Sequence, residues 1–482
     1  MDDKSEIELL LLCLREEEPG IKKERLRGVA DNQWEVVCQA ACDFGLAPLL
    51  YSTLRPLIKD IGLPAGAERR LREIYLNSAA RNMRLYSELS RVLRSLKGAD
   101  IPVIPLKGAY LAEVIYGDTA LRPMNDIDLM VRQEDFRKTI ELLTNKGYRA
   151  EGNAKPEDVF SVQQHYPPLT SRNGFSIEVH WTLIQPKLNG LIMPPHPPLS
   201  REGRGETNWL SPCMLHPVFS REGRGRFPCY RSYNGHSALS RVGRGNNVIP
   251  QHAAGRHWIA EGIWHRTKPG VVANVEILVL SPEDFIIHLC IHAALHHGLV
   301  GQLRSLFDIA RTVRCYKDEI SWPLMCDLTR SCGAERSVYL AMTLAARHAG
   351  LSVPEDPLAT IRPEGNMSGI VPIAESFLFN RSRILLSRHV AGLWEQQGLF
   401  NKFRYLLKRF FLPTAQIAVS YGVPSNSIKV YFYYLMRWRD IFRRHLRNIV
   451  RALLLEQAIS ADLEVSIKEN ALLRWLSNEK GW

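Results

Sequence analysis

Between residues 101 and 182 the chain alternates short β-branched segments with amphipathic ones, and this alternation constrains the fold more than any other feature. IPVIPLKG predicts a strand ending in a tight turn, and NDIDLMV and GFSIEVHWTL predict two more strands. AYLAEVIYG and RQEDFRKTIELLTNKGY have helical spacing, and Gly147 suits the C-cap of the second helix. Strands and helices that alternate within about 85 residues predict a compact α/β unit.

Changes in sequence pattern divide the chain into five predicted regions. Residues 1–98 form an N-terminal helical region, and residues 99–189 form the core that contains the strands. Residues 190–255 form an insertion, and residues 256–350 form a helical domain. Residues 351–482 form a C-terminal helical region that contains a basic aromatic helix. The fold class predicted from this order is α+β: a small mixed-sheet core flanked by helices on both sides in sequence.

The insertion is built from a repeat with a period of 20 residues. HPPLSREGRGE begins at His196, HPVFSREGRGR at His216 and HSALSRVGRGN at His236. Each unit offers one or two apolar residues among glycine, arginine and proline, which is too little to offset the entropy of ordering the chain. A solenoid would need a recurrent apolar stripe in each unit. We therefore predict that the insertion is disordered.

The formal net charge of +12 is unevenly distributed along the chain. Residues 196–246 hold eight arginines and three glutamates, a net of +5, which leaves +7 for all the other residues. That remainder is a mild bias and a weak indication of nucleic-acid binding. Residues 428–457 interleave arginines with aromatics. This segment either makes a peripheral contact with anionic lipid or RNA, or is a surface helix with a basic face.

The cysteine pattern and the N-terminal residues are typical of a cytoplasmic protein. Nine cysteines are irregularly spaced and form no CxxC pair, which favours reduced, packed thiols. The N-terminus is acidic before a short apolar run, the reverse of a secretory signal. No segment approaches the roughly 18–20 apolar residues of a membrane span, so we expect no stable membrane insertion.

Two aspartates, Asp126 and Asp128, lie one residue apart in the apolar segment LRPMNDIDLMV. On a strand they share a face about 6–7 Å apart, where two partly desolvated carboxylates repel each other unless a cation lies between them. Mg²⁺ prefers such oxygen ligands and is often shared with substrate phosphates. Glu178, a single acid among apolar neighbours of the next predicted strand, is the candidate third carboxylate. The alternative is a solvated pair at the end of a strand.

Three residues near this pair are candidates for binding a triphosphate. In PLKG, Gly108 would let backbone N–H groups approach an anion, and Lys107 would add a positive charge. Arg122, four residues before Asp126, could also reach a phosphate. The alternatives are an ordinary turn and a solvated loop arginine.

Histidines form a second group of polar candidates. His180 shares a strand face with Glu178, so it could orient that carboxylate or contact substrate, or be an ordinary hydrogen-bonded structural residue. His288, His292 and His296 recur every four residues in one predicted helix and share a face. No HExxH motif accompanies them, so a packed or substrate-facing role is favoured over a zinc site.

The order of these motifs resembles a bacterial group of poorly characterised nucleotidyltransferases in the polymerase-β-like superfamily. The resemblance rests on PLKG, LRPMNDIDLMV, an amphipathic helix ending in KGY, and IEVHW, and it extends to SPEDFIIHLCIHAALH and LRSLFDIARTV. It covers roughly residues 95–185 and 257–350, and it implies that Gly108 forms the turn of the site. The chain departs from the superfamily's usual turn, in which serine or glycine follows the glycine, because Ala109 stands there.

The resemblance also implies a ligand set and an activity. Asp126 and Asp128 would be metal ligands, and Glu178 would be the third carboxylate. Mg²⁺ (or Mn²⁺) would be the cofactor, and an NMP would move from an NTP to an unknown small-molecule, protein or RNA acceptor. Two alternatives stay open: a non-catalytic nucleotide- or partner-binding module on the same fold, and a nucleotidyltransferase directed at tRNA.

Overall fold

The structure is a computed structural model, and it describes only part of the 482-residue chain. The described residues are 3–150, 164–183, 262–364, 367–380, 427–437 and 456–477, with single positions between 400 and 439. The predicted disordered insertion at 190–255 lies outside them. So do four arginines of the basic segment, Arg443, Arg444, Arg447 and Arg451.

Helices make up most of the described residues, as the order of sequence patterns predicts. The α-helices are α1 (Asp3–Leu14), α2 (Pro19–Leu26), α3 (Asp31–Asp43), α4 (Ala47–Leu54), α5 (Ile58–Ile61), α6 (Ala65–Lys97), α7 (Lys107–Tyr110), α8 (Phe136–Asn145), α9 (Ile263–Arg266), α10 (Pro282–Ile291), α11 (Leu303–Cys315), α12 (Trp322–Ser331), α13 (Glu335–Ala349), α14 (Glu355–Thr360), α15 (Met367–Leu378) and α16 (Glu456–Leu476). Two π-helical turns (Leu111–Ile115 and His292–His296) extend α7 and α10.

A five-stranded mixed sheet lies among these helices. Its strands are β1 (Val103–Pro105), β2 (Asp126–Val131), β3 (Arg149–Ala150), β4 (Leu169–Thr170) and β5 (Ser176–His180), in the spatial order β1-β2-β5-β4-β3. The pair β2–β5 is parallel, and the other pairs are antiparallel. The three strands predicted from the sequence are β1, β2 and β5, and they are consecutive in the sheet.

One apolar core joins the N-terminal helices, the sheet and the helices that follow residue 262. Trp34 of α3, Phe136 of α8, Phe285 of α10 and Phe377 of α15 are among its largest fully buried side chains. Helix α10 begins with two features that its local sequence favours: the Ser281 hydroxyl accepts the hydrogen bond of the Asp284 N–H, and a proline is the first helical residue. No helix within the described residues is long and apolar enough to cross a membrane.

A β-hairpin, β6 (Lys268–Val272) and β7 (Val275–Val279), lies in a region that the sequence patterns present as helical. Ala273 and Asn274 connect the strands with φ angles of 52° and 57°. Two consecutive positive φ angles match the right-handed twist of a tight hairpin. This turn lacks the glycine that usually marks such a connection, which explains why the pattern gave no hairpin signal.

Candidate active site

The sheet register places four polar side chains on one face. Strands β2 and β5 are parallel, and Asp128 pairs with Glu178 while Met130 pairs with His180. Since side chains two residues apart on a strand share a face, Asp126, Asp128, Glu178 and His180 all project from the same side of the sheet. The apolar residues that alternate with them, such as Ile127, are buried on the other face.

Asp128, Glu178 and His180 bring their donor atoms together. His180 Nε2 lies 3.0 Å from Asp128 Oδ1 and 3.6 Å from Glu178 Oε2. One ligand atom from each residue lies within 4.8 Å of the others, so the three can point at a common ion. Two carboxylates and an imidazole are a donor set that suits a divalent cation. Asp126, predicted as a ligand, is not a member of this group, whereas His180, predicted as a supporting residue, is.

Lys107 is the cation that Asp128 contacts in the structure. Its Nζ donates a hydrogen bond of 2.8 Å to Asp128 Oδ1, and both side chains are largely buried. Burial alone would raise the pKa of Asp128, but Lys107 and the hydrogen bond from His180 hold that pKa well below its usual range. An ammonium held at this carboxylate indicates that the position favours positive charge.

Asp126 has a different electrostatic environment from Asp128. Burial, together with repulsion from Asp128 and Glu178, raises its pKa to about 7. The two aspartates of the pair are therefore not equivalent, because only Asp128 has direct cationic partners.

Gly108, in the first turn of α7, lies against the side chain of an arginine. A Cβ atom on Gly108 would lie 2.8 Å from Arg122 Nη1 and 3.1 Å from Met124 Cγ, so a larger residue would displace the guanidinium. Lys107, the preceding residue, has a φ of 44°, in the left-handed region. Because Gly108 has no side chain, the guanidinium of Arg122 can approach its backbone closely.

The side chain of Arg122 is largely buried and forms an ion pair. Its Nη2 lies 3.1 Å from Asp308 Oδ2 in α11, and the Tyr116 hydroxyl donates a 2.8 Å hydrogen bond to the other oxygen of Asp308. Arg304, one turn earlier in α11, donates to the Pro123 carbonyl at 3.4 Å. Burial and the nearby Arg122 lower the pKa of Arg304 to about 10. Two buried arginines therefore lie close together at the start of β2.

Helix α6 holds the loop that carries Arg122. Asn82 is fully buried, and its amide group donates hydrogen bonds to the carbonyls of Thr119 (2.6 Å) and Arg122 (2.9 Å). Its side-chain oxygen accepts the N–H of Met124 at 3.2 Å. Asn82 could not be recognised from the sequence, because a single asparagine in a long amphipathic helix gives no sign of what it contacts.

Buried histidines lie at the end of the carboxylate cluster that is opposite Arg122 and Arg304. His288 of α10 is 2% exposed, and among the described residues neither of its ring nitrogens has a hydrogen-bond partner. Burial, together with the charges of Lys107 and His180, lowers the pKa of His288 to about 3. His165 bridges to His180 beside β5, and its Nε2 lies 4.0 Å from Glu178. His165 could not be recognised from the sequence, since its segment shows no strand pattern.

Comparison with known proteins places the chain in a family. The model of an uncharacterised nucleotidyltransferase family matches residues 30–202 and 241–350, which is more than half of the chain. The gap in the match, 203–240, falls inside the repeat-bearing segment. No curated protein and no solved structure matches this chain. The predicted resemblance to a poorly characterised nucleotidyltransferase group and the α+β class are confirmed, and the chain belongs to this uncharacterised nucleotidyltransferase family.

Proposed function

We propose that the chain transfers an NMP from an NTP to an acceptor with the help of Mg²⁺ or Mn²⁺, at the site formed by Asp128, Glu178 and His180. The observation that carries the proposal is the convergence of these three side chains beside Lys107 in a member of a nucleotidyltransferase family. Nucleotidyltransferases generally use divalent cations, and a bound cation would stabilise negative charge on the phosphates during transfer.

The choice between the two cations follows from the donor set. Mg²⁺ is held almost entirely by oxygen ligands, whereas Mn²⁺ binds both carboxylates and imidazole nitrogen more strongly. The ligand atoms of His180, Asp128 and Glu178 lie within 4.8 Å of one another, which supports the inclusion of a nitrogen ligand. We therefore expect Mn²⁺ to bind more tightly than Mg²⁺ at equal concentration. Asp126, outside this group, would bind a second ion once the substrate phosphates add ligands.

The remaining candidates would bind the triphosphate. Lys107 would leave Asp128 and pair with phosphate oxygens when a metal takes its place. Arg122 and Arg304, buried at the start of β2, would attract the same anion. An acceptor oxygen would attack the α-phosphorus, pyrophosphate would leave, and the proton of the acceptor would pass to Glu178. In this mechanism the side chains contribute positioning and charge stabilisation.

The test compares Asp128→Asn with the wild type in two measurements. Release of pyrophosphate from an NTP should fall at least about 100-fold in the variant. Binding of Mn²⁺, followed by electron paramagnetic resonance, should be lost. Glu134→Gln is the matched control, because it removes an exposed carboxylate near the same sheet. Wild-type activity in Asp128→Asn with an unchanged thermal melt would refute the proposal.

A further inference from the structure

The cluster of carboxylates formed by Asp126, Asp128 and Glu178 has two chemically different ends. Arg122 precedes the first residue of β2 by four positions, and Arg304 contacts the loop between them, so the cations lie at the start of β2. The opposite end follows the last residues of β5. There the Trp181 N–H donates to the carbonyl of Gln164 at 3.2 Å, and His288 lies within electrostatic range of His180. The carboxylates therefore separate a cationic end from a histidine-lined end.

The histidine-lined end contains polar atoms without partners. Both ring nitrogens of His288, Nε2 of His296 and Oε1 of Gln164 are buried and make no hydrogen bond within the part of the chain that the structure describes. The Gln164 amide nitrogen lies 3.5 Å from His296 Nδ1, which places these two side chains side by side. Buried polar groups are nearly always satisfied in native proteins, so several orphaned atoms together indicate a bound molecule that supplies the missing bonds. Apolar packing would not need an imidazole at these positions.

A π-helical turn carries His296 at this end of the site. Residues His292–His296 follow α10 with one extra residue in the turn, and such turns are often found at functional sites. His292 is already partnered, since its Nε2 lies 3.2 Å from Nε2 of His297. The histidines of the cluster that keep unpartnered ring nitrogens are therefore His288 and His296.

The hydrogen-bond donors and acceptors of these groups indicate which kind of molecule would bind here. The neutral His288 ring offers one donor and one acceptor. The His296 ring offers one donor, Nε2–H, because its Nδ1 faces the amide nitrogen of Gln164, and the Gln164 oxygen adds an acceptor. A hydroxyl group both donates and accepts and matches this pattern. A phosphate or carboxylate offers only acceptors, and an ammonium offers only donors. The enclosure of the site also favours a small molecule, since His288 is 2% exposed.

The geometry of phosphoryl transfer indicates the role of a molecule bound at the histidine-lined end. The attacking and leaving oxygens lie roughly in line on opposite sides of the phosphorus. If the triphosphate occupies the cationic end, its pyrophosphate leaves toward Arg122 and Arg304, and the attacking group arrives from the histidine-lined end. We propose that Gln164, His288 and His296 form the acceptor subsite, and that the acceptor is a small neutral molecule bearing several hydroxyl groups.

The inference rests on the proposed nucleotidyl transfer and specifies its acceptor. One hydroxyl oxygen forms a bond to the α-phosphorus of the NTP, and the bond from that phosphorus to the bridging oxygen of pyrophosphate breaks. Pyrophosphate is released, and the hydroxyl proton passes to Glu178. The product is a phosphodiester.

The experiment separates acceptor binding from nucleotide chemistry with His288→Leu and His296→Leu. Three quantities are measured with Mn²⁺ present: binding of a non-hydrolysable NTP analogue, slow hydrolysis of the NTP with water as acceptor, and transfer of label from α-labelled NTPs. The acceptors for transfer are glycerol, myo-inositol, glucose and the small-molecule fraction of a cell extract, with glycerol phosphate and ethanolamine as charged counterparts. His348→Leu is the control, because His348 is a partly buried histidine whose Nε2 is already paired with Glu375 at 2.8 Å.

The expected result is selective. Both variants bind the analogue and hydrolyse the NTP like the wild type, but transfer to neutral polyols falls at least about tenfold through a higher KM. His288→Asn, which keeps one donor and one acceptor, recovers part of the transfer. His348→Leu behaves like the wild type. The labelled product resists acid and pyrophosphatase, as a phosphodiester does.

Several results would overturn the inference while leaving nucleotidyl transfer intact. These are full transfer by both leucine variants, a product that is an acid-labile phosphoramidate or a phosphoanhydride, and label found only on RNA or protein. Hydrolysis by the wild type without transfer to any small neutral acceptor would also overturn it. By contrast, a wild type that neither binds the analogue nor releases pyrophosphate would refute the proposed function itself.

Discussion

The guanidinium of Arg122 and the carboxylate of Asp308 form a buried ion pair at 3.1 Å, although 186 residues separate them in the chain. Their side chains are 13% and 2% exposed. The pair links the loop before β2 to helix α11, so it fixes the cationic end of the site to the helical half of the protein. It also holds the guanidinium where it packs against Gly108.

Asp308→Asn should strongly destabilise the protein. Removing one partner leaves the charge of Arg122 buried without its counterion, which costs about 3 kcal/mol or more of the free energy of unfolding. Urea denaturation measures the loss. Asp327→Asn is the control, because it breaks an exposed ion pair with Arg330 at the same distance of 3.1 Å and should cost less than about 1 kcal/mol. Equal losses of unfolding free energy in the two variants would show that the buried ion pair contributes no more to stability than the exposed one.

Gly108→Ala should weaken NTP binding. The added Cβ would lie 2.8 Å from Arg122 Nη1, and the guanidinium can retreat only by loosening its contact with Asp308. We expect the KM for NTP to rise about tenfold, which corresponds to about 1.4 kcal/mol of binding free energy. Gly66→Ala in α6 is the matched control, since a Cβ added at Gly66 would meet nothing within 4 Å and no kinetic change is expected. An unchanged KM in Gly108→Ala would contradict this role.

Lys107→Gln should bind Mn²⁺ more tightly than the wild type when no nucleotide is present. The ammonium of Lys107 competes with a metal ion for Asp128, and its removal leaves a more negative site. Titration followed by electron paramagnetic resonance should show affinity raised roughly tenfold, while affinity for an NTP analogue falls. Lys138→Gln, which removes the same charge from an exposed position, should change neither affinity. Weaker Mn²⁺ binding in Lys107→Gln would show that the lysine supports the metal site instead.

Glu113→Gln should raise the melting temperature at pH 7. Glu113 accepts a 2.8 Å hydrogen bond from the Ala273 N–H in the turn of the β6–β7 hairpin, and burial raises the pKa of its carboxyl. A raised folded-state pKa contributes stability below the unfolded-state pKa, and that contribution is lost as pH rises through the folded-state value. Glutamine keeps the acceptor without the charge.

The advantage of Glu113→Gln should therefore shrink between pH 7 and pH 4, when the wild-type carboxyl becomes protonated. Thermal melts at both pH values measure this difference. Glu276→Gln is the control, because Glu276 is an exposed residue of the same hairpin. A variant that melts lower than the wild type at pH 7 would show that the fold uses the charge of Glu113.

The strands of the site could be predicted because their patterns are local. Alternating apolar residues mark β2 and β5, and the same alternation requires Asp126, Asp128 and Glu178 to lie on the same face if both strands join one sheet. The N-cap Ser281 could be predicted for the same reason, since its partner Asp284 is three residues away. The short strands β3 and β4 and the hairpin β6–β7 have too few residues, or too ordinary a turn, to produce a pattern.

The sequence by itself determined the order of β1, β2 and β5 and of the helices between them, the pair of aspartates and the third carboxylate, because each depends on neighbours within a few residues. The tertiary structure decided which of these groups act together. Parallel pairing of β2 with β5 brought His180 to Asp128 and left Asp126 outside the group. Packing of α10 and α11 over the sheet paired Arg122 with Asp308 and buried His288 without a partner. These relationships depend on distances between segments that are far apart in the chain, and a linear pattern does not encode such distances.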